Sequence, residues 1–355
     1  MPVQPGFAPP PAARGGGGRT LLIVGGIALF LIVVLAVGGV LLNASLSSTY
    51  NPGKAVQAYF AAQSRGDVGY MVANANYLKG DTGTDAFFGK DGLTAMVALK
   101  ENKSVSGVSV SSNEELDSST SKVTVSMQWN GSQVSETYTL HRDTSRTHFV
   151  FYNDWKLDIP AHSISITVPN QPGALQIDGI DVPTGASSVS VIQGYHNVTM
   201  AKSDFYDESD QSANAVDGAA TVAFDGKVSA DALAAAAKAI DDTFAGHCDA
   251  TKYSGCPGHV YHPKAGTYEI FTLPGGEVDA YSSWQFTLVG HPSAGMTLTV
   301  STEAGKATAS GNCTVKLVVD GKSSHTYSGA WTADLTYDTG AWGTDVTFDC
   351  VKRQA

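Results

Sequence analysis

The sequence predicts an α+β protein with one N-terminal transmembrane helix, then two helix-plus-antiparallel-sheet modules separated by a small all-β bead. Three observations carry this reading. Leu21–Leu42 has no charge and no proline over about 22 residues, enough helix to cross a hydrocarbon layer roughly 30 Å thick. Beyond it, helical periodicity gives way twice to alternating strands joined at an Asx-Gly turn. Between those two stretches, residues 160–225 hold short strands punctuated by Gly and Pro, with no helical period.

A helix satisfies its own backbone in lipid, so the apolar run is read as a transmembrane helix over residues 20–42. Arg14 and Arg19 flank its N-terminal side, and no Lys or Arg follows until Lys54. Positive charge stays on the cytoplasmic face, so these two arginines place residues 1–19 inside and the chain beyond the helix outside. A cleaved secretory signal is the competing reading. Its apolar core is usually about 7–15 residues long and ends at a small-x-small site. Here the run is longer, and Leu42-Asn43-Ala44-Ser45-Leu46 is a poor cleavage sequence. Residues 1–19, Pro-rich and then Gly-rich, read as a disordered tail, and 43–50 as a linker.

The formal net charge is −11, and since Arg14 and Arg19 are the only charges up to residue 42, the remainder carries −13. That balance argues against nucleic acid and against an anionic polymer as an electrostatic partner. All four cysteines, Cys248, Cys256, Cys313 and Cys350, lie in the last third, on the expected outer side. An even count in an oxidising compartment reads as two disulfides and no free thiol.

The first module spans 51–159. Asn51 suits an N-cap and Pro52 the first helical position; Val56, Tyr59 and Phe60 then share a face, and Gly66 can stop the helix. Further helices are expected over Val68–Ala75 and near Leu93–Leu99. Strands follow at Ser104–Ser111, Ser121–Trp129, Ser132–His141 and His148–Leu157, with Asn130-Gly131 as a hairpin turn. The bead spans 160–225, with strands at Ser163–Val168, Ala174–Ile177, Ser187–Ile192 and His196–Ala201, an Asp178-Gly179 turn and an acidic loop over Ser203–Gly218. The third module spans 226–352. Ser229 caps its helix, Val228 can staple onto Leu233, and Leu233, Ala237, Ile240 and Phe244 form an apolar stripe. Strands are expected at Thr267–Thr272, Ser282–Val289, Thr297–Thr302, Ala307–Val319, His325–Tyr337 and Thr344–Cys350. Val123–Gly131 aligns without gaps on Cys313–Gly321, a weak internal repeat.

Val56-Gln57-Ala58-Tyr59-Phe60-Ala61-Ala62 with Arg65-Gly66-Asp67 resembles the first helix of NTF2-like, cone-shaped α+β domains. Ile177-Asp178-Gly179 and Gly194-Tyr195-His196-Asn197-Val198 resemble short β-domains of bacterial envelope proteins. The order of modules is similar to the teicoplanin-resistance-associated membrane protein family, though the zinc ribbon often found at the N-terminus of that family is lacking. The loop Cys248…Gly255-Cys256-Pro257 is similar to actinobacterial single-pass envelope proteins. These resemblances imply a cell-envelope protein and supply no catalytic residues.

No GxSxG, HExxH, P-loop or dinucleotide-binding motif occurs in a fitting context. His247-Cys248…Cys256…His259…His262 admits a zinc reading, but the cysteines lack CxxC spacing, and a disulfide closing a short loop is simpler. Cys256 as a transpeptidase nucleophile would need an activating histidine. Pairing Cys313 with Cys350 would tie down the last strand. Asp204, Asp207, Glu208 and Asp210 do not match a calcium loop, and His141, His148 and Asp158 are acid–base candidates on strands. The expected function is non-catalytic binding, sensing or scaffolding by a membrane-anchored extracytoplasmic protein, without cofactor or metal. Its partners would be the lipid bilayer and an envelope protein or cell-wall component. The alternative is an enzyme or small-ligand protein using the cone of an NTF2-like module.

Overall fold

The computed structural model of the chain describes residues 50–80, 85–148, 152–247, 272–273, 276–277, 284–319, 323–338 and 341–349. The expected anchor, Arg14, Arg19, Cys248, Cys256 and Cys350 lie outside them. No helix among the described residues is long and apolar enough to cross a membrane. The described chain is α+β, rich in sheet, and divides into two compact units. One joins the described part of Met1–Asn76 to Lys103–Ile159; the other joins Tyr77–Asn102 to the described part of Pro160–Ala355.

The first unit opens with α1 (Pro52–Arg65). The Asn51 side chain accepts the Lys54 N–H at 2.8 Å, and Gly66 ends the helix at φ 71°. That left-handed position favours glycine. Asp67 then caps α2 (Val68–Asn74), which leads into β1 (Ala75–Tyr77). The strands β2 (Val105–Glu115), β3 (Thr120–Trp129), β4 (Ser132–His148) and β5 (Tyr152–Ile159) complete a five-stranded sheet in the order β1-β5-β4-β3-β2. Asn130 (φ 49°) and Gly131 (φ 83°) make the expected two-residue turn, which needs positive φ at both positions. Along β3, Val123, Val125, Met127 and Trp129 are buried on one face. Phe60 from α1 packs edge-on to Trp129 at 5.9 Å and beside Tyr138 at 5.5 Å. This aromatic core fills the space between helix and sheet.

In the second unit, a 3-10 turn (Asp85–Phe88) precedes α3 (Lys90–Ala98) and the single helical turn α4 (Lys100–Lys103). The helix near Leu93–Leu99 was expected in the first module, yet it belongs to this unit. Asn102, fully buried, is the reason. Its amide donates to the carbonyls of Met96 (2.8 Å) and Tyr195 (2.7 Å), and its oxygen accepts the Tyr195 N–H at 2.8 Å. Such hydrogen bonds over ninety residues apart cannot be read from local pattern.

The bead contains β6 (Ala161–Thr167), β7 (Leu175–Ile177), β8 (Ile180–Asp181), β9 (Ser188–Ile192), β10 (Gly194–Met200), β11 (Ser209–Ala215) and β12 (Ala220–Ala223). They form two sheets, ordered β11-β10-β7-β8 and β12-β6-β9. The stretch expected as an acidic loop therefore carries a strand: β11 pairs along all seven residues of β10. Its polar composition fits an edge strand with one wet face.

Ser229 caps α5 (Ala230–His247), its hydroxyl accepting the Ala232 N–H at 3.1 Å. The buried stripe is Ala232, Ala236, Ile240 and Phe244, whereas Leu233 is 39% exposed. The expected stripe and staple at Leu233 are corrected accordingly. The Ser229 N–H is bonded to the Phe205 carbonyl at 2.8 Å, which fixes the entry of the helix and turns Ala232 inward. Phe244 packs at 6.0 Å on Trp331, whose indole lies against Gly311, where any Cβ would stand 2.8 Å from the ring. A two-stranded pair, β13 (Thr272–Leu273) and β14 (Gly276–Glu277), precedes the last sheet. That sheet contains β15 (Trp284–Leu288), β16 (Thr297–Val300), β17 (Lys306–Val319), β18 (Ser323–Asp338) and β19 (Ala341–Asp349). β15, β17, β18 and β19 are neighbours in that order, and β16 also pairs with β17.

Gln171 ties bead to sheet. Held at φ 54°, it sends its amide nitrogen to the carbonyls of Ser301 (2.7 Å), Glu303 (2.6 Å) and Lys306 (3.0 Å) and accepts the Gly305 N–H at 2.7 Å. The amide has two hydrogens to share among the three carbonyls and accepts one N–H, so Gln171→Ala is expected to cost about 3 kcal/mol at roughly 1 per bond. Faster hydrogen exchange at the Gly305 amide reads this directly.

Candidate functional site

The face of α1 opposite its aromatic side leaves an open groove of about 480 Å³ in the first unit. Such a volume lies in the range of small-ligand sites. Lys54, Ala55, Gln57, Ala58 and Ala61 line it from α1, Tyr70 and Asn74 from α2, and Asp154 and Trp155 from β5; Tyr50 and Asn51 complete it. The helical period explains this division. Val56, Tyr59, Phe60 and Gln63 are buried, which leaves the alanines and Lys54 on the other side.

Much of the lining is fixed by hydrogen bonds. The Trp155 indole N–H donates to the Tyr50 carbonyl at 3.0 Å, and the Arg142 guanidinium lies 5.0 Å from the Trp155 ring centre. Asn74 donates to the Tyr70 carbonyl at 2.8 Å and accepts from Arg146 at 3.3 Å. Lys54 reaches the Gln57 oxygen at 3.2 Å. Burial pushes the Tyr70 phenol above the ordinary tyrosine value and the Asp154 carboxylate adds to that, while Arg65 and Arg146 act the other way. At neutral pH the phenol keeps its proton and stands as a donor. Sequence reasoning missed this groove, although the alanine spacing on α1 was its visible trace.

Three histidine–carboxylate pairs among the described residues have the elements of acid–base chemistry. His141 meets Asp158 at 3.0 Å, and Asn76 holds the other Asp158 oxygen at 3.0 Å, so two of the strand candidates do come together. The His141 side chain is half-exposed, and among the described residues no serine, threonine or cysteine is bonded to the pair. The His148 side chain lies outside the described residues. Asp241 gathers His291 (3.1 Å) and the Ser293 hydroxyl (2.9 Å). The carboxylate is the hub there and the serine does not bond the histidine, so the nucleophile has no base in place.

The third pair is structural. His196 and Asp178 are both nearly fully buried, with Nδ1 2.7 Å from the carboxylate and Nε2 2.7 Å from the Ile192 carbonyl. Asp178 also accepts the Asn197 N–H at 2.8 Å and starts the Asp178-Gly179 turn at φ 53°. Both ring nitrogens are therefore used inside the bead.

The acidic residues Asp204, Asp207, Glu208 and Asp210 do not assemble. Asp207 faces Lys202 at 3.8 Å, and Asp210 accepts from Thr199 at 2.6 Å. Among the described residues no group of three or more His, Cys, Asp or Glu is placed to hold a metal. Trp129, Trp155 and Trp331 are buried, and Trp284's side chain lies outside the described residues. Cys313 is buried and disulfide-bonded, and no described cysteine is free. Of the His247-Cys248…Cys256…His259…His262 constellation, only the backbone of His247, at the end of α5, lies within the described residues.

Removing a partner from a buried ion pair costs about 3 kcal/mol. Asp178→Ala is expected to lower hydrogen-exchange protection across β10 by that amount while leaving β3 and β4 unchanged. No protein-family model, curated protein or solved structure matches the chain.

Proposed function

We propose that this chain is a membrane-anchored, extracytoplasmic protein of the cell envelope with a non-catalytic binding role, and that the groove along α1 is its recognition site. The observation that carries the reading is the uncharged run Leu21–Leu42, followed within about ten residues by the helix that lines the groove. Arg14 and Arg19 supply the orientation, and the net acidity of the remainder disfavours polyanionic partners. The resemblance of the first module to NTF2-like domains fits a helix laid over a curved sheet.

The enzyme alternative draws less support. In the first unit, the space between α1 and the sheet is occupied by Tyr59, Phe60, Met71, Trp129 and Tyr138, all buried. Among the described residues, neither His141 nor His291 has a nucleophile in hydrogen-bonding position.

Expression of the full chain in a bacterial host tests the topology. The protein is expected to stay with membranes through an alkaline carbonate wash and to be digested by protease added to intact spheroplasts. Release into the wash, or full protection from protease, contradicts the reading.

A further inference from the structure

The bead contains a bond pattern that a neutral histidine cannot make. The side chains of His196 and Asp178 are 3% and 5% exposed, so the pair is shielded from water. His196 Nδ1 lies 2.7 Å from one Asp178 oxygen, and Nε2 lies 2.7 Å from the Ile192 carbonyl. A carboxylate and a carbonyl only accept, while a neutral imidazole has a single N–H to give. Without its proton, either contact would set two lone pairs against each other at hydrogen-bond distance. We propose that the pair holds one proton beyond a neutral ring and a carboxylate, and that this proton makes the bead a pH-sensitive clasp. It sits between Nδ1 and the Asp178 oxygen, and the second ring proton is on Nε2.

The clasp joins two sheets. Ile192 ends β9, in the sheet β12-β6-β9, whereas His196 and the strands flanking the Asp178 turn belong to the sheet β11-β10-β7-β8. The other Asp178 oxygen accepts the Asn197 N–H at 2.8 Å, which docks the turn on β10. The titratable groups on the surrounding elements are engaged elsewhere or exposed. Asp210 on β11 accepts from Thr199 at 2.6 Å, and Asp181 on β8 from Gln176 at 2.8 Å. His162 on β6 is bonded to the Ala215 carbonyl at 2.7 Å, and Glu101 on α4 faces Lys100 at 3.9 Å. Lys90 and Asp91, which open α3, and Asp217, beyond β11, are exposed, and β7 and β9 carry no titratable group. The direction of the response follows. An unfolded chain releases an imidazole proton at about pH 6.5, whereas the folded bead requires it, so stability falls as the pH climbs above that point.

Magnetic resonance on the full chain in detergent, labelled at its histidine nitrogens, tests the proton count. At about pH 7 the His196 ring is expected to show two hydrogen-bonded protons, one at each nitrogen, both missing from His196→Gln. A single proton on the ring overturns the proposal. The response is read by hydrogen exchange, corrected for the intrinsic effect of pH. Protection across β10 is expected to fall at least tenfold between about pH 6.5 and about pH 9, with β3 unchanged. Asp178→Asn removes the need for the proton. Its amide nitrogen donates to Nδ1, its oxygen keeps the Asn197 N–H, and Asn tolerates the φ of 53° at this turn. In that variant protection is expected to vary less than about threefold over the same range. Flat protection in the natural chain, or an equal fall in both, overturns the clasp.

Discussion

The docking of α1 on the first sheet is the constraint from which the candidate site follows. Phe60, Tyr59 and Val56 are driven onto β3 and β4 by burial, and fully burying side chains of this size is worth about 2 kcal/mol each or more. Once that face is committed, the helical period turns Lys54, Ala55, Ala58 and Ala61 outward. Asn51 and Gly66 fix the helix ends, so the outward residues have no other register to adopt. Groove and core are two faces of one helix. A substitution on either side is therefore felt differently: the inner face answers in stability, while the outer face leaves the aromatic core intact.

The second unit is held by polar side chains that act over long sequence separations. Asn102 holds the backbone at Tyr195, Gln171 fills the turn from Ser301 to Lys306, and Ser229 meets Phe205 through its backbone. Asn102 alone satisfies backbone groups at Met96 and Tyr195 that would otherwise be left without partners, at a cost of roughly 1–3 kcal/mol apiece. Gln171 stitches the bead to the last sheet. The helix Lys90–Ala98 joins this unit for a comparable reason.

Local patterns were legible and long-range ones were not. Helix caps at Asn51 and Ser229, the Asn130-Gly131 turn and most of the longer strands follow from residue type and period, whereas the short strands β1, β8, β12 and β14 were not expected and β4 runs seven residues past its expected end. β11 was missed because its residues, Ser209–Ala215, are those of a loop; only its neighbour β10 makes it a strand. Leu233 was misplaced because the stripe was drawn from hydrophobicity, while the helix entry is set by the Ser229–Phe205 hydrogen bond. Of the site, only the pairing of His141 with Asp158 was partly visible. The groove joins α1, α2 and β5, residues about a hundred apart in sequence, and nothing local marks Asp154 or Trp155 as its wall.

The proposal that the outer face of α1 is a recognition surface on the far side of the membrane is open to test in living cells. A photo-crosslinking amino acid placed at Ala58 in the full chain, activated in living cells, tests it most directly. Val72, exposed on α2 and not part of the groove, serves as the reference position. Adducts at position 58 that are absent at 72 are the predicted result. Equal labelling at both positions, or none at 58, would contradict the account.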